Sequence, residues 1–150
     1  MEKLSSSKNN LMQDPVLSKS TKYGRYLFLG AAIIFVVCIV TQVFLAGMAV
    51  FVDPVNWSKH VAFVRIFNFL PLLMLLFAII GKLGKDLYSV TTAMIIMIVL
   101  QYITANLTDV VPYLSALHVI FALMLFGAST NTVRMSWKKI TVKDSIQTGG

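Results

Sequence analysis

Three long stretches without a Lys, Arg, Asp or Glu residue limit the possible folds of this chain more than any other feature. Residues 26–52, 87–108 and 110–133 contain 27, 22 and 24 residues. Because a helix rises about 1.5 Å per residue, each stretch can cross roughly 30 Å of hydrocarbon. A fourth run, residues 66–81, reaches the same length when it is extended back to Lys59 across one charge, Arg65. The sequence therefore predicts an all-α membrane protein, a bundle of four transmembrane helices.

The remaining segments are polar and short. Residues 1–21 are rich in Ser, Lys and Asn and are expected to form a disordered basic tail, residues 22–137 the bundle, and residues 138–150 a second basic tail. Helices are predicted over 23–51, 57–81 with a kink at Pro71, 86–107, and from Pro112 to Trp137. These tails are too short for a separate catalytic domain. No Ser-His-Asp set, glycine-rich phosphate loop or carboxylate pair is present, so hydrolase and nucleotide-driven functions have no support.

The basic residues lie where a four-span chain would place its cytoplasmic segments. Of the 13 Lys and Arg residues, 11 lie before the first span, between the second and third, or after the fourth. The positive-inside rule then predicts that both termini are cytoplasmic in a multi-pass protein of the plasma membrane. The net charge of +7 is explained by topology and by contact with anionic lipid, so no nucleic-acid partner is expected.

The two helical hairpins of the predicted bundle resemble each other. Gln42, Pro54 and His60 align with Gln101, Pro112 and His118 when one gap is allowed, and each His is followed by Val-x-Phe. Strongly polar residues are costly inside membrane helices, so their repetition carries more weight than that of apolar residues. The repeat predicts two hairpins related by a pseudo-two-fold axis along the membrane normal, with both glutamines facing the partner hairpin.

The repeat places the only two histidines of the chain, His60 and His118, at matching depth on the second and fourth helices. Two imidazoles that face each other across a four-helix bundle can ligate one haem iron, so both are candidate metal and cofactor ligands, with haem b as the group. The alternative is that each histidine only hydrogen-bonds a neighbouring helix. Arg65 is a further candidate, as partner of a haem propionate, of Asn68, Gln101 or Asp109, or as a side chain that snorkels to the surface.

Short motifs add a resemblance to known proteins. The stretch QVFLAG at 42–47, Trp57 with His60, and the dipeptide Leu117-His118 resemble an uncharacterised family of small four-helix bacterial membrane proteins. Over roughly residues 24–133 the plan is also similar to one half of a haem A synthase, and by that likeness His60 and His118 match an axial pair. The outer loop has no cysteine pair and no glutamate stands near His60, so haem A synthesis is not implied.

Two functions of different classes follow. The first is a b-type cytochrome-like protein with bis-histidine ligation that acts in electron transfer, in haem handling, or as a subunit of a membrane redox complex. The second is a cofactor-free accessory subunit. The expected partners are the lipid bilayer and either a larger membrane complex or a second copy of the chain. A transporter has less support because no acidic residue lies inside a span, and no catalytic constellation argues for an enzyme.

Overall fold

All regular structure in the described part of the chain is helical. The computed structural model describes residues 18–108 and 110–148, with side chains as far as Thr141. The helices are α1 (Lys19–Phe51), α2 (Asn56–Phe67), α3 (Leu70–Ile80), α4 (Lys85–Ala105), α5 (Pro112–Ser115) and α6 (Leu117–Thr148). Four spans are long and apolar enough to cross a membrane: α1, α2 with α3, α4, and α5 with most of α6. The predicted all-α, four-span architecture is confirmed.

The first and last helices extend beyond their predicted ends. Helix α1 begins at Lys19, inside the segment 1–21 that was expected to be disordered; residues 1–17 of that segment lie outside the described residues. Thr21 is buried, so the first turn already packs against the bundle. Helix α6 continues past Trp137, because Ile140 is buried and Lys139 Nζ donates to the Leu83 carbonyl oxygen at 2.6 Å.

The second span is divided in the middle, as Pro71 predicts. Helix α2 ends at Phe67 and α3 begins at Leu70, which places Pro71 in the first turn of α3, where a missing N–H leaves no helical hydrogen bond unmade. The two halves have different neighbours. Helix α2 packs chiefly on α1, whereas α3 packs on both α1 and α4. Spans two and three therefore pack mainly through α3 and α4.

The hydrophobic core is concentrated in that same end, called here the terminal half because α1 begins there. Its largest fully buried apolar side chains are Phe28, Phe35, Met74, Leu87 and Met94. The opposite end, called the loop half, carries the connection 52–55 and the C-terminal end of α4, and it contains two cavities. The terminal half is therefore well packed, whereas the loop half contains cavities.

A close contact between two glycines fixes the terminal half of the first hairpin. A Cβ atom built on Gly24 would lie 2.6 Å from the backbone nitrogen of Gly81. The approach lets the Nε of Arg25, which is buried, donate to the Gly81 carbonyl oxygen at 2.9 Å. Arg25 therefore satisfies a carbonyl at the end of α3 that has no partner within the helix.

Candidate functional site

Two adjoining cavities lie between the hairpins in the loop half. Their volumes are about 200 Å³ and 330 Å³. Both are lined by the polar side chains of Gln42, His60, Gln101, Tyr102 and His118. The structure therefore brings the two predicted histidines, one from each hairpin, to the walls of a shared hollow.

The two sides of this hollow differ in polarity. The first cavity extends to the side of α1 and α6, where it shares Val43, Val119 and Ala122 with a groove of apolar side chains. The second extends to the side of α2 and α4, where Arg65 and Asn106 add polar groups. The hollow thus has an apolar side and a side with a cationic group.

His60 is held by a reciprocal pair of hydrogen bonds with Gln42. Its Nδ1 donates to the backbone oxygen of Gln42 at 3.1 Å, and the Gln42 side-chain Nε2 donates to the backbone oxygen of His60 at 2.9 Å. A carbonyl oxygen only accepts, so the Nδ1 contact places the proton on Nδ1 and leaves the Nε2 lone pair free. A backbone carbonyl is one of the usual outer partners of a metal-ligating histidine, together with carboxylates and water.

The second hairpin repeats the arrangement with one difference. His118 Nδ1 lies 3.1 Å from the backbone oxygen of Gln101. In the amide orientation that gives both of its atoms a partner, Gln101 Nε2 lies 3.1 Å from the backbone oxygen of His118, and Oε1 accepts from the Ala122 N–H at 2.7 Å. The same Nε2 lies 2.7 Å from Nδ1 and 3.1 Å from Nε2 of the His118 ring. The Gln101 amide therefore lies against the His118 ring, off the lone-pair axes of both ring nitrogens, and its aligned partner is the His118 backbone oxygen.

These contacts correct the prediction for the two glutamines. Gln42 and Gln101 were expected to bond across to the partner hairpin, but each bonds the histidine of its own hairpin. The cavity separates the hairpins at this depth, so the nearest polar groups belong to the neighbouring helix of the same hairpin.

Arg65 lines the second cavity together with His60 and His118. At five residues from His60 it lies about 140° around the helix, at the edge of the stripe that faces the hollow, and its long side chain covers the remaining distance. It forms no hydrogen bond or ion pair within the described residues, so a bond to Asn68 or Gln101 is not made. The third proposed partner, Asp109, lies outside the described residues.

Three side chains of the site make contacts that the sequence analysis did not predict. Asn68 Nδ2 donates to the Tyr102 hydroxyl at 3.0 Å and so links α2 to α4 beside the break in the second span. Trp57 packs edge-on against the His60 ring, with ring centroids 5.4 Å apart. Tyr102 follows Gln101 directly, but the equivalent position in the first hairpin is Val43, so the repeat gave no signal for it.

The described residues contain no group of three or more His, Cys, Asp or Glu side chains that could hold a metal ion. A closed structural zinc site of four protein ligands is therefore not formed by this part of the chain. Cys38 is a free, partly buried cysteine. The candidate metal ligands of the described site are therefore His60 and His118.

Comparison with known proteins gives one match. Residues 42–109 are similar to a family of unknown function, DUF6220; the matched segment contains Gln42, His60, Arg65 and Gln101 and ends before His118. No curated protein and no solved structure matches the chain. The likeness to half of a haem A synthase therefore has no counterpart in these comparisons, and what they give is similarity over the central part of the chain to a family without an assigned function.

Proposed function

We propose that this protein binds one haem b between its two hairpins, with His60 and His118 as axial ligands, and acts as a small membrane cytochrome. The observation that carries the proposal is the hydrogen bonding of His60. The His60 Nδ1 is hydrogen-bonded to the Gln42 carbonyl oxygen, while the His60 Nε2 has no hydrogen-bond partner within the described residues. The His60 side chain also lines the cavity that His118 lines.

The hollow matches the chemistry of this group in two further respects. The larger cavity alone falls within the roughly 300–1,000 Å³ of typical ligand sites, and the two adjoin. Its apolar side suits a porphyrin edge, and Arg65 on the other side offers a cation for propionates. One histidine on each wall is the placement that two axial ligands of one flat group require.

The residues of the chain would hold the group and set its properties. When bound, a haem with two axial imidazoles supplies one-electron chemistry. The Gln42 carbonyl oxygen would keep the His60 ring in the ligating tautomer, and the apolar side chains around it would exclude water from the site. These features support electron transfer, haem handling or a place in a larger redox complex.

The cofactor-free accessory subunit remains the second candidate, because one observation favours it. Each histidine makes its Nδ1 contact with a helix of its own hairpin, which is also what a purely structural histidine would do. That role needs only Nδ1. It does not require both rings to line one cavity.

The decisive experiment is the absorption spectrum of protein purified in mild detergent from a haem-replete host, without added haem. We expect a strong Soret band and sharp reduced bands of low-spin, six-coordinate iron, because two imidazoles fill both axial positions. His60→Ala and His118→Ala should each remove the low-spin spectrum. Asn131→Ala, an exposed residue of α6 outside both cavities, is the matched control and should leave the spectrum unchanged.

Tryptophan fluorescence gives an independent readout. Trp57 contacts His60, whereas Trp137 lies in the terminal half. In a Trp137→Phe background, titration with haem should quench the remaining Trp57 emission, and the quenching should be lost when both histidines are replaced. A colourless protein with unquenched Trp57, or a spectrum indifferent to both histidine substitutions, would refute the cytochrome and favour the accessory subunit.

A further inference from the structure

One side of helix α6 is exposed on the surface of the bundle. Helix α6 packs on α1 and α4. Its buried side chains repeat at the three- and four-residue spacing of one helix face and include Leu125, Ser129, Thr132 and Ser136. The opposite face, called here the outer face of α6, carries the exposed residues Ile120, Met124, Gly127, Asn131 and Arg134. In a membrane this outer face contacts either lipid or another protein.

Asn131 places an amide on the outer face within the membrane-spanning segment. Lys139, eight residues later, donates to the Leu83 carbonyl oxygen in the connection between spans two and three, which marks one end of the spans. At about 1.5 Å per residue, Asn131 lies roughly 12 Å along the helix from that end. A long side chain such as that of Arg134 can extend toward the surface, but the short side chain of Asn131 cannot. Its amide therefore stays at the depth of the hydrocarbon.

The hydrogen-bonding groups of this amide are incompletely satisfied by the described chain. The Asn131 Nδ2 donates to the Met135 Sδ at 3.3 Å, and a thioether sulfur is a weak acceptor. The Asn131 Oδ1 accepts no hydrogen bond from the described residues. The neighbouring Thr130 hydroxyl, in contrast, donates to the Phe126 carbonyl oxygen of its own helix at 2.8 Å. Acyl chains offer neither donor nor acceptor, so an amide that faces lipid gains from a polar partner on another transmembrane helix.

Gly127 allows a second helix to approach this amide closely. It stands one turn before Asn131 on the same face, and a Cβ atom built on it would meet no atom within 4 Å. Small residues let two membrane helices bring their backbones together, and a polar side chain can then form a hydrogen bond across the contact. The outer face therefore combines a place of close approach with a hydrogen-bonding group, and neither has a partner on another described helix.

We propose that the outer face of α6 binds the outer face of a second copy of this chain, in a dimer whose two-fold axis runs along the membrane normal. An amide has a donor nitrogen and an acceptor oxygen, so it complements an identical amide. Copies inserted in the same orientation place Asn131 at the same depth, so the Nδ2 of each copy can donate to the Oδ1 of the other. A different protein would need a polar residue at that depth, whereas a second copy always has one.

The first test measures dimerisation of the purified full chain in phosphatidylcholine vesicles at decreasing protein-to-lipid ratio. Copies that carry a donor or an acceptor dye at the amino terminus report it by energy transfer. Asn131→Leu should weaken dimerisation by roughly tenfold or more, because two symmetry-related hydrogen bonds between helices are lost. Thr130→Val is the matched control and should have no effect, because that hydroxyl is bonded within its own helix. Equal dimerisation of Asn131→Leu and the unchanged chain, or no transfer above that of randomly mixed monomers, would overturn the inference.

Disulfide cross-linking in membranes locates the interface. In a Cys38→Ser background, Gly127→Cys should give a covalent dimer when an oxidant is added, because a disulfide needs Cα atoms about 4.4–6.8 Å apart and a close helix crossing provides this distance. Gly30→Cys on α1 is the matched control, since a Cβ there also meets no atom within 4 Å, and it should remain monomeric. A dimer cross-linked through Gly30→Cys and not through Gly127→Cys would place the interface on α1 and contradict the proposal.

The inference does not depend on the proposed haem site, because Gly127 and Asn131 lie outside both cavities. The absorption spectrum of the haem-loaded protein should therefore be the same for Asn131→Leu and for the unchanged chain. A monomeric protein with the low-spin spectrum refutes the dimer alone, and a dimeric protein without haem refutes the proposed function alone. A cross-link from Gly127→Cys to a different protein in native membranes, with none between copies, would also overturn the dimer and assign the outer face to a larger complex.

Discussion

Substitution of Gly24 by Ala tests the close contact between α1 and the turn after α3 in the terminal half. The new Cβ would lie 2.6 Å from the Gly81 nitrogen, 2.9 Å from the Gly81 Cα and 2.9 Å from the Ile80 Cγ2. Carbon atoms in contact prefer about 3.5–4.0 Å, so α1 and the turn after α3 must separate by roughly 1 Å. Two of the three contacts are backbone atoms, so a side-chain rotation cannot relieve the clash.

The expected cost combines two effects. Overpacking of a tight contact costs about 1–3 kcal/mol. The separation also lengthens the bond from Arg25 Nε to the Gly81 oxygen, now 2.9 Å, which is worth about 0.5–1.5 kcal/mol. We therefore expect a loss of about 2 kcal/mol or more in the free energy of unfolding, on the order of a 30-fold change in the folded-to-unfolded ratio.

Unfolding of the detergent-solubilised protein by increasing SDS, followed by circular dichroism, measures this change. Gly30→Ala in the same helix is the matched control, because a Cβ there meets no atom within 4 Å. It should keep or raise stability, since Ala is the better helix former by about 1 kcal/mol. Haem binding by the folded fraction of Gly24→Ala should be unchanged, because the contact lies at the other end of the bundle. Equal stability of the two variants would refute the close contact.

Three further predictions concern topology and the site. Reporter fusions after Lys85 and at the C-terminus should be cytoplasmic and one near Asn56 external, and an external reporter after Lys85 would overturn the predicted orientation. Arg65→Leu should leave haem bound but shift its reduction potential in a redox titration, whereas an unchanged potential argues against a propionate contact. Tyr102→Phe removes the partner of Asn68 and should lower stability in SDS by about 0.6 kcal/mol, up to about 1.7 kcal/mol; a more stable variant would contradict a favourable hydrogen bond.

The parts of the fold that depend on composition and spacing could be read from the sequence. Charge-free runs predicted the four spans and Pro71 predicted the break in the second. The repeat predicted that His60 and His118 point toward one central axis, and in the structure both line one cavity. Each of these sequence signals is local or periodic. An unpaired backbone group or a misplaced charge is costly inside a bilayer, so a membrane-spanning sequence must show these signals clearly.

The features that the sequence did not predict depend on contacts between helices. The Gln101 amide contacts the His118 ring while the Gln42 amide contacts only the His60 backbone, although both residues are glutamine in the same register. Such differences arise from side-chain orientation and helix crossing, which hydropathy and repeat spacing do not encode.

The apolar groove that continues from the first cavity has a thermodynamic consequence for any occupant. Its side chains, among them Val40, Leu123 and Phe126, are exposed on the surface of a bundle whose spans are long enough to cross a membrane. In a bilayer such a groove contacts acyl chains, which are as apolar as the groove itself. Transfer of an apolar molecule from lipid into the hollow therefore gains almost nothing from the hydrophobic effect. Binding strength must then come from coordination and hydrogen bonds at the few polar side chains. The competing solvent is lipid, and an apparent dissociation constant should therefore follow the mole fraction of the occupant in the membrane rather than its concentration in water.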